Sequence, residues 1–224
     1  MNEEFFNREA DKVARELLGK ILIRRVGDRE LRAKIVETEA YFDEKDPASR
    51  ACQNGDLRET MMMKPGTILV YGVHNSWLIN FITDNIGKAS AVLIRAIEPL
   101  NFEGRCNGPG LLTESLGIDK SHHKKSVIDK DEIWVEDIDN SERDTGNKFP
   151  VSSKTETQKL KISDPSTYKK LKSFGDEGGQ VSESSSEGFD GDIEIVESFR
   201  IGVTEDLGKP MRFYIKDNKW VSGS

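Results

Sequence analysis

Five short apolar runs, rich in β-branched residues, lie between residues 20 and 97: KILIRR (20–25), AKIVETEAY (33–41), TILVYG (67–72), WLINFIT (77–83) and AVLIRAI (91–97). Gly, Asp, Asn or Pro bounds each of them, so they read as strands separated by tight turns and not as helices. KPGT (64–67) is a turn that feeds a strand, and YGVHNSW (71–77) reads as the tip of a β-hairpin. One helix is expected before them. Ala10, Val13, Ala14, Leu17 and Leu18 recur at helical spacing, with Asp11, Lys12, Arg15 and Glu16 between them. Asn7 is the expected N-cap, Gly19 ends the pattern, and Phe5 and Phe6 pin the helix to the core. NGPGLLTESLGI (107–118) reads as a glycine-rich loop opening into a short helix.

Apolar runs return near the C-terminus, in IEIVESFRIGV and MRFYIKDNKWV. Between them and the first half lies a stretch whose Ser, Glu, Lys and Gly content cannot bury enough surface to offset the entropy of ordering. The expected organisation is therefore one α+β domain built from residues 1–136 and 193–224, with 137–192 as a low-complexity, disordered insertion. In that domain the N-terminal helix lies on a curved, mostly antiparallel sheet or open barrel with a protruding hairpin.

Charge constrains the partner. The 33 basic and 40 acidic side chains leave a net −7, which argues mildly against nucleic acid. Residues 139–194 hold 12 acidic and 8 basic residues, so −4 of that total sits in the insertion and the remainder is near neutral. Two cysteines, Cys52 and Cys106, in neither CxxC nor Cys/His spacing, point to no metal, and their scarcity points to an intracellular protein. No apolar run approaches the roughly 18 residues of a membrane span.

Within IVETEAY, period-2 alternation places Val36, Thr38 and Ala40 on one face and Glu37, Glu39 and Tyr41 on the other. That second face reads either as an ordinary solvated strand face or as a carboxylate at a cleft wall, acting as general base on water. Arg95 sits inside an apolar strand, where a cation needs a carboxylate or phosphate partner. Tyr71, His74 and Trp77 cluster about the hairpin tip, where rings can stack, wedge or pack in the core.

FF, LLGKILIRR, IVETEAY, MKPGTILVY, VLIRAIEPL, NGPG, RIGV, KPMRFYI and WVS follow one another in an order that resembles the alkyladenine (3-methyladenine) DNA glycosylase family. The resemblance covers nearly the whole chain except the insertion. It implies an enzyme of base excision repair that flips a damaged purine out of duplex DNA and hydrolyses its N-glycosidic bond, leaving an abasic site. It implies no cofactor and no metal, a monomer, and location in the nucleus of a eukaryote or the cytoplasm otherwise. By the same resemblance Glu39 is the general base, and Arg95 and the backbone carbonyl of Ile201 help hold the attacking water. Tyr41 and Tyr71 sandwich the flipped base, Ala48 and position 50 complete the pocket wall, and Asn80 rejects the 2-amino group of normal guanine. With no lysine at the base position, a monofunctional hydrolase without strand cleavage is expected.

Three departures from the family pattern carry expectations. Arg50 stands where the family has histidine, and a guanidinium over a methylated, cationic base repels it, which tilts the pocket toward neutral lesions such as hypoxanthine or ethenoadenine. The hairpin tip is about one residue shorter, and the usual intercalating tyrosine is missing; Val73 and His74 are the alternatives, with His74 favoured for its flat ring. DLRETMMMK replaces a basic stretch, leaving Arg58 and Lys64, so DNA affinity is expected to be modest and strongly salt-dependent. A catalytically weak lesion-binding protein on the same scaffold is the alternative reading, and an RNA-binding or structural domain of similar fold a third.

Overall fold

The computed structural model describes residues 1–138 and 193–223. The proposed insertion, apart from its first two residues, lies outside them. The described residues form an α+β unit whose sheet is antiparallel and curled into a half-barrel. The strands are β1 (Ile21–Val26), β2 (Arg29–Tyr41), β3 (Ile68–Val73), β4 (Ser76–Ile82), β5 (Ala91–Pro99), β6 (Ile133–Glu136), β7 (Ile195–Ser198) and β8 (Arg212–Ile215). Their order is β3-β4-β5-β2-β1-β6, and β8 pairs with both β2 and β7.

At 13 residues β2 is long enough to have two neighbours in succession on one edge. Its first part, Arg29 to Lys34, pairs with β1, and Glu37 to Glu39 pair with β8. The other edge pairs with β5 from Ala33 to Tyr41. The sheet therefore forks at β2. That fork brings the C-terminal strands and the segment joining them against the residues that alternate along IVETEAY.

The helix expected near the N-terminus is present but capped differently. A short α1 (Glu3–Phe6) precedes α2 (Ala10–Leu17), with Asn2 accepting from the Phe5 N–H at its start. Asn7 is the C-cap of α1, and α2 begins after Glu9 with no side-chain cap. The burial of Phe6 against Phe81 fixes that corner, so an N-cap bond at Asn7 is not needed. The buried face of α2 is the expected one, Ala10, Val13, Ala14 and Leu17, and it packs on β2 and β5. Thr38 Oγ1 donates to the Ala14 carbonyl across that contact, at 2.8 Å.

Two elements carry no strong periodic signal: α3 (Asp56–Met61) and the four-residue β6, which adds to the free edge of β1. α4 (Pro109–Leu116) opens on Pro109, as NGPGLL suggests, and packs on β4 and β5. Its first turn approaches the hairpin so closely that a Cβ on Gly110 would lie 2.6 Å from the Ser76 Cβ. The hairpin β3–β4 closes through His74 and Asn75, both at positive φ, in the two-residue turn that matches the twist of paired strands.

Candidate active site

A break in strand register builds the centre of the site. Along β2 and β5, Glu37 pairs with Ala96 and Thr38 with Ile94, so Arg95 has no residue opposite it. Such a bulge re-aims a side chain. It also changes parity: Ile35, not Val36, joins Ala40 in the main apolar core, although Val36 is buried too. Simple alternation therefore misplaces Val36. The unpaired Arg95 reaches two carboxylates, donating from Nε to Glu37 Oε1 at 3.0 Å and lying 3.2 Å from Glu39 Oε1 through Nη1. Neither glutamate has any accessible surface, so this face is not a solvated one.

The two carboxylates differ in what is left over. An ionised carboxylate offers about four acceptor sites. Glu37 accepts four hydrogen bonds, three on Oε1 from Arg95 Nε, Arg212 Nε (2.6 Å) and Ser222 Oγ (2.8 Å), and one on Oε2 from the Ser222 backbone N–H (2.6 Å). Glu39 accepts two, from the Ile201 N–H at 2.8 Å on Oε1 and from the Tyr41 hydroxyl at 2.7 Å on Oε2, and Arg95 Nη1 adds an ion pair to Oε1. Among the described residues, one acceptor position on Glu39 Oε2 is unused. Burial pushes the Glu39 carboxyl above its ordinary value, against the pull of Arg95, the Ile201 N–H and the Tyr41 hydroxyl. Such a group accepts a proton more readily than a solvated carboxylate. Burial and the adjacent Glu39 push the Tyr41 phenol upward, which keeps it a donor.

The groups that hold Glu39, namely Tyr41, Arg95 and Ile201, line a cavity of about 740 Å³. Its walls include Tyr71, Ala48 and Arg50, with Val73 and His74 of the hairpin at one side and the first residues of α4 at another. The volume suits a planar, drug-sized or nucleobase-sized ligand. Each tyrosine carries a guanidinium near its ring: Arg200 lies 4.6 Å from the centroid of Tyr41, and Arg50 lies 5.0 Å from that of Tyr71.

Arg200 is the tie that assembles these walls. Its Nη1 and Nη2 grip Asp46 in a two-pronged pair at 2.7 and 2.8 Å, Nε donates to Asp206 at 2.8 Å, and Nη1 donates to the Ala40 carbonyl. Asp46 in turn accepts from the Phe42 and Ala48 N–H groups. One buried cation thus fastens the loop that carries Ala48 and Arg50 to the segment that carries Ile201, and both to β2.

Most of the residues singled out in the sequence converge here. Glu39, Tyr41, Ala48, Arg50, Tyr71, Val73, His74, Arg95 and Ile201 surround or support one cavity. Asn80 does not line it; it is buried on β4 and donates to the Leu69 carbonyl at 3.3 Å. Arg200, Asp46, Asp206, Arg212 and Ser222 are partners that sequence reasoning did not find. Nothing local sets Asp46 apart from Asp43 or Glu44, because its role depends on an arginine 154 residues away. His122 and His123 bind their own surroundings, Asp119 and Asp56 among them, and Cys52 and Cys106 are unpaired thiols. Among the described residues, no cluster of three or more His, Cys, Asp or Glu is placed to hold a metal ion, and no helix is long and apolar enough to cross a membrane.

Comparison with known proteins bears directly on this geometry. The family model described as Methylpurine-DNA glycosylase (MPG) matches residues 4–161. A protein of Aeropyrum pernix named "Putative 3-methyladenine DNA glycosylase" is 33% identical over 224 residues, covering 98% of this chain and 91% of its own length. One of the same name from Clostridium perfringens (strain 13) is 32% identical over 249 residues, covering 99% of this chain and 98% of its own. The DNA-3-methyladenine glycosylase of Mus musculus is 35% identical over 161 residues, which are 61% of this chain and 48% of the mouse protein.

Proposed function

The chain belongs to the methylpurine-DNA glycosylase family, and from that premise we propose that it excises damaged purines from duplex DNA by direct hydrolysis of the N-glycosidic bond. The observation that carries this reading is the unused acceptor position on Glu39 beside a cavity flanked by two tyrosines. A purine inside a duplex cannot reach such a cavity, so the nucleotide must be turned out of the stack. Tyr41 and Tyr71 then offer π faces to the base. His74, exposed at the hairpin tip, fills the space left in the duplex, with Val73 beside it as the alternative wedge.

Cleavage passes through a cation-like sugar. A negative charge near that sugar lowers the barrier, and Glu39 supplies it. Water donates a proton to the free position on Glu39 Oε2 as its oxygen attacks the anomeric carbon. The bonding electrons leave with the purine, and an abasic sugar remains. Arg95 reaches Glu39 with Nη1 and lies 3.5 Å from the Ile201 carbonyl, so one cation holds both groups that would orient the water. Glu37, which already accepts four hydrogen bonds, holds Arg95 in place and takes no part in proton transfer. Among the described residues, no lysine lines this cavity, in keeping with a hydrolase without strand cleavage.

A second reading, lesion binding with weak catalysis, is favoured by one observation: Glu39 has no accessible surface. Water reaches it only if the Ile201 segment or Tyr41 gives way as the nucleotide enters. Base release from duplexes carrying a single hypoxanthine or ethenoadenine, read as alkali-labile abasic sites, separates the two readings. Release by the native chain that vanishes with Glu39→Gln is the expected result. Retention of the lesion duplex without release would establish the binding protein instead.

A further inference from the structure

Two arginines lie over the two tyrosine walls, and they are not equivalent. Arg200 has no accessible side-chain surface, does not line the cavity, and is neutralised by Asp46 and Asp206. Arg50 lines the cavity and is partly exposed to it. Among the described residues, no carboxylate lies within ion-pair distance of its guanidinium; its partner is Tyr71, through the ring face and through a hydroxyl within hydrogen-bonding reach. The other charges around the cavity cancel locally. Arg95 and Arg212 face Glu37 and Glu39. Glu205 stands on the cavity wall but is exposed, where water screens it. Among the described residues, the space that receives the base therefore carries one positive charge, that of Arg50, with no carboxylate paired to it.

We propose that Arg50 is a specificity-determining residue that selects neutral purine lesions over cationic ones. The proposal rests on the excision reading above. A purine nucleotide alkylated at N3 or N7 carries a delocalised positive charge. Hypoxanthine and the etheno adducts of adenine do not. Between tyrosine rings alone a cationic base is preferred, because a cation is drawn to the π face. A guanidinium already over Tyr71 takes up that attraction and adds like-charge repulsion in a partly desolvated space, where Coulomb interactions fall off less than in water. It still stacks on a neutral base through its planar face. The same residue therefore penalises one class and accommodates the other.

Intrinsic bond strength confounds any single rate, since a cationic purine leaves more easily on its own. A ratio of ratios removes that factor. Single-turnover release would be measured from duplexes carrying one 7-methylguanine or one hypoxanthine, with the native chain, Arg50→Gln and Arg50→Lys. Arg50→Gln is expected to raise the 7-methylguanine to hypoxanthine rate ratio by about tenfold, on the order of one charge pair a few ångström apart and largely screened by nearby water. Arg50→Lys, which keeps the charge, should leave the ratio near that of the native chain. An unchanged ratio in Arg50→Gln with both bases still released, or the same rise in Arg50→Lys, would overturn the role of the charge while leaving the excision reading intact. Release of neither base by the native chain would overturn the excision reading, and this proposal with it.

Discussion

Glu37 and Glu39 sit one residue apart on the same strand, and their surroundings direct them to different tasks. Glu37 compensates Arg95 and Arg212 and accepts from Ser222; removing its charge leaves the buried Arg95 and the partly buried Arg212 short of a partner. Glu37→Gln should cost about 3 kcal/mol and lower the Tm measurably. Glu39 is the reverse case. Its carboxyl is raised in the folded protein, so the fold favours the protonated form. The stability linked to this group is fully present below the unfolded value near 4.5 and is lost as pH rises through the folded value. At neutral pH its ionisation is therefore a net cost, and Glu39→Gln should have a Tm no lower than the native chain while base release falls about 100-fold or more. The same shift moves the acid limb of the pH–rate profile above the ordinary glutamate range. A limb at or below the ordinary value, or a Tm drop in Glu39→Gln like that in Glu37→Gln, would contradict this division of labour.

At the level of elements, the site stands on three segments that share no hydrogen-bonded ladder: the loop after β2, the hairpin β3–β4, and the segment between β7 and β8. Arg200 links the first and third. Arg200→Met removes a buried cation from between two carboxylates, and thermal unfolding should show a loss of about 3 to 5 kcal/mol. Because Ile201 is the next residue, release should fall more steeply than the loss of folded protein explains, a comparison best made well below the variant's Tm. The hairpin is anchored differently, through its register with β4 and β5, and its tip projects His74. His74→Ala should slow release from duplex substrate more than Val73→Ala does. The opposite order would assign the wedge to Val73.

For the whole molecule, the net charge of −7 and the sparse basic side chains near the hairpin give little long-range attraction for a polyanion. On the proposed function, binding then rests on a few phosphate contacts and on the captured nucleotide. Affinity for lesion duplex should decline with salt between about 50 and 200 mM, with a log–log slope that reports only a few neutralised phosphates. A slope near −10 would reveal an extended basic surface instead. Much of the architecture behind that surface was legible in the sequence. All five early runs are strands, α2 buries four of the five residues its spacing selects with the fifth, Leu18, buried as its C-cap, and NGPG opens a helix. β6 and α3 escaped because four and six residues are too few for a periodic signal to rise above chance. Asn7 was misread because a cap is settled by where the chain turns, and the packing of Phe6 sets that turn.

Local covalent preferences determined the strands, the two-residue hairpin turn and the apolar face of α2, since each depends on residues a few positions apart. The order of the motifs, with relatives aligned along nearly the whole chain, determined the family and with it the candidate base, the tyrosine walls and the departure at Arg50. Tertiary structure alone decided which glutamate accepts fewer hydrogen bonds, which arginine is neutralised and which is not, and that Asp46, Asp206, Arg212 and Ser222 belong to the site at all. The reason is physical. Burial, charge compensation and hydrogen-bond saturation are properties of what surrounds a side chain, and here those surroundings come from up to 185 residues away along the chain.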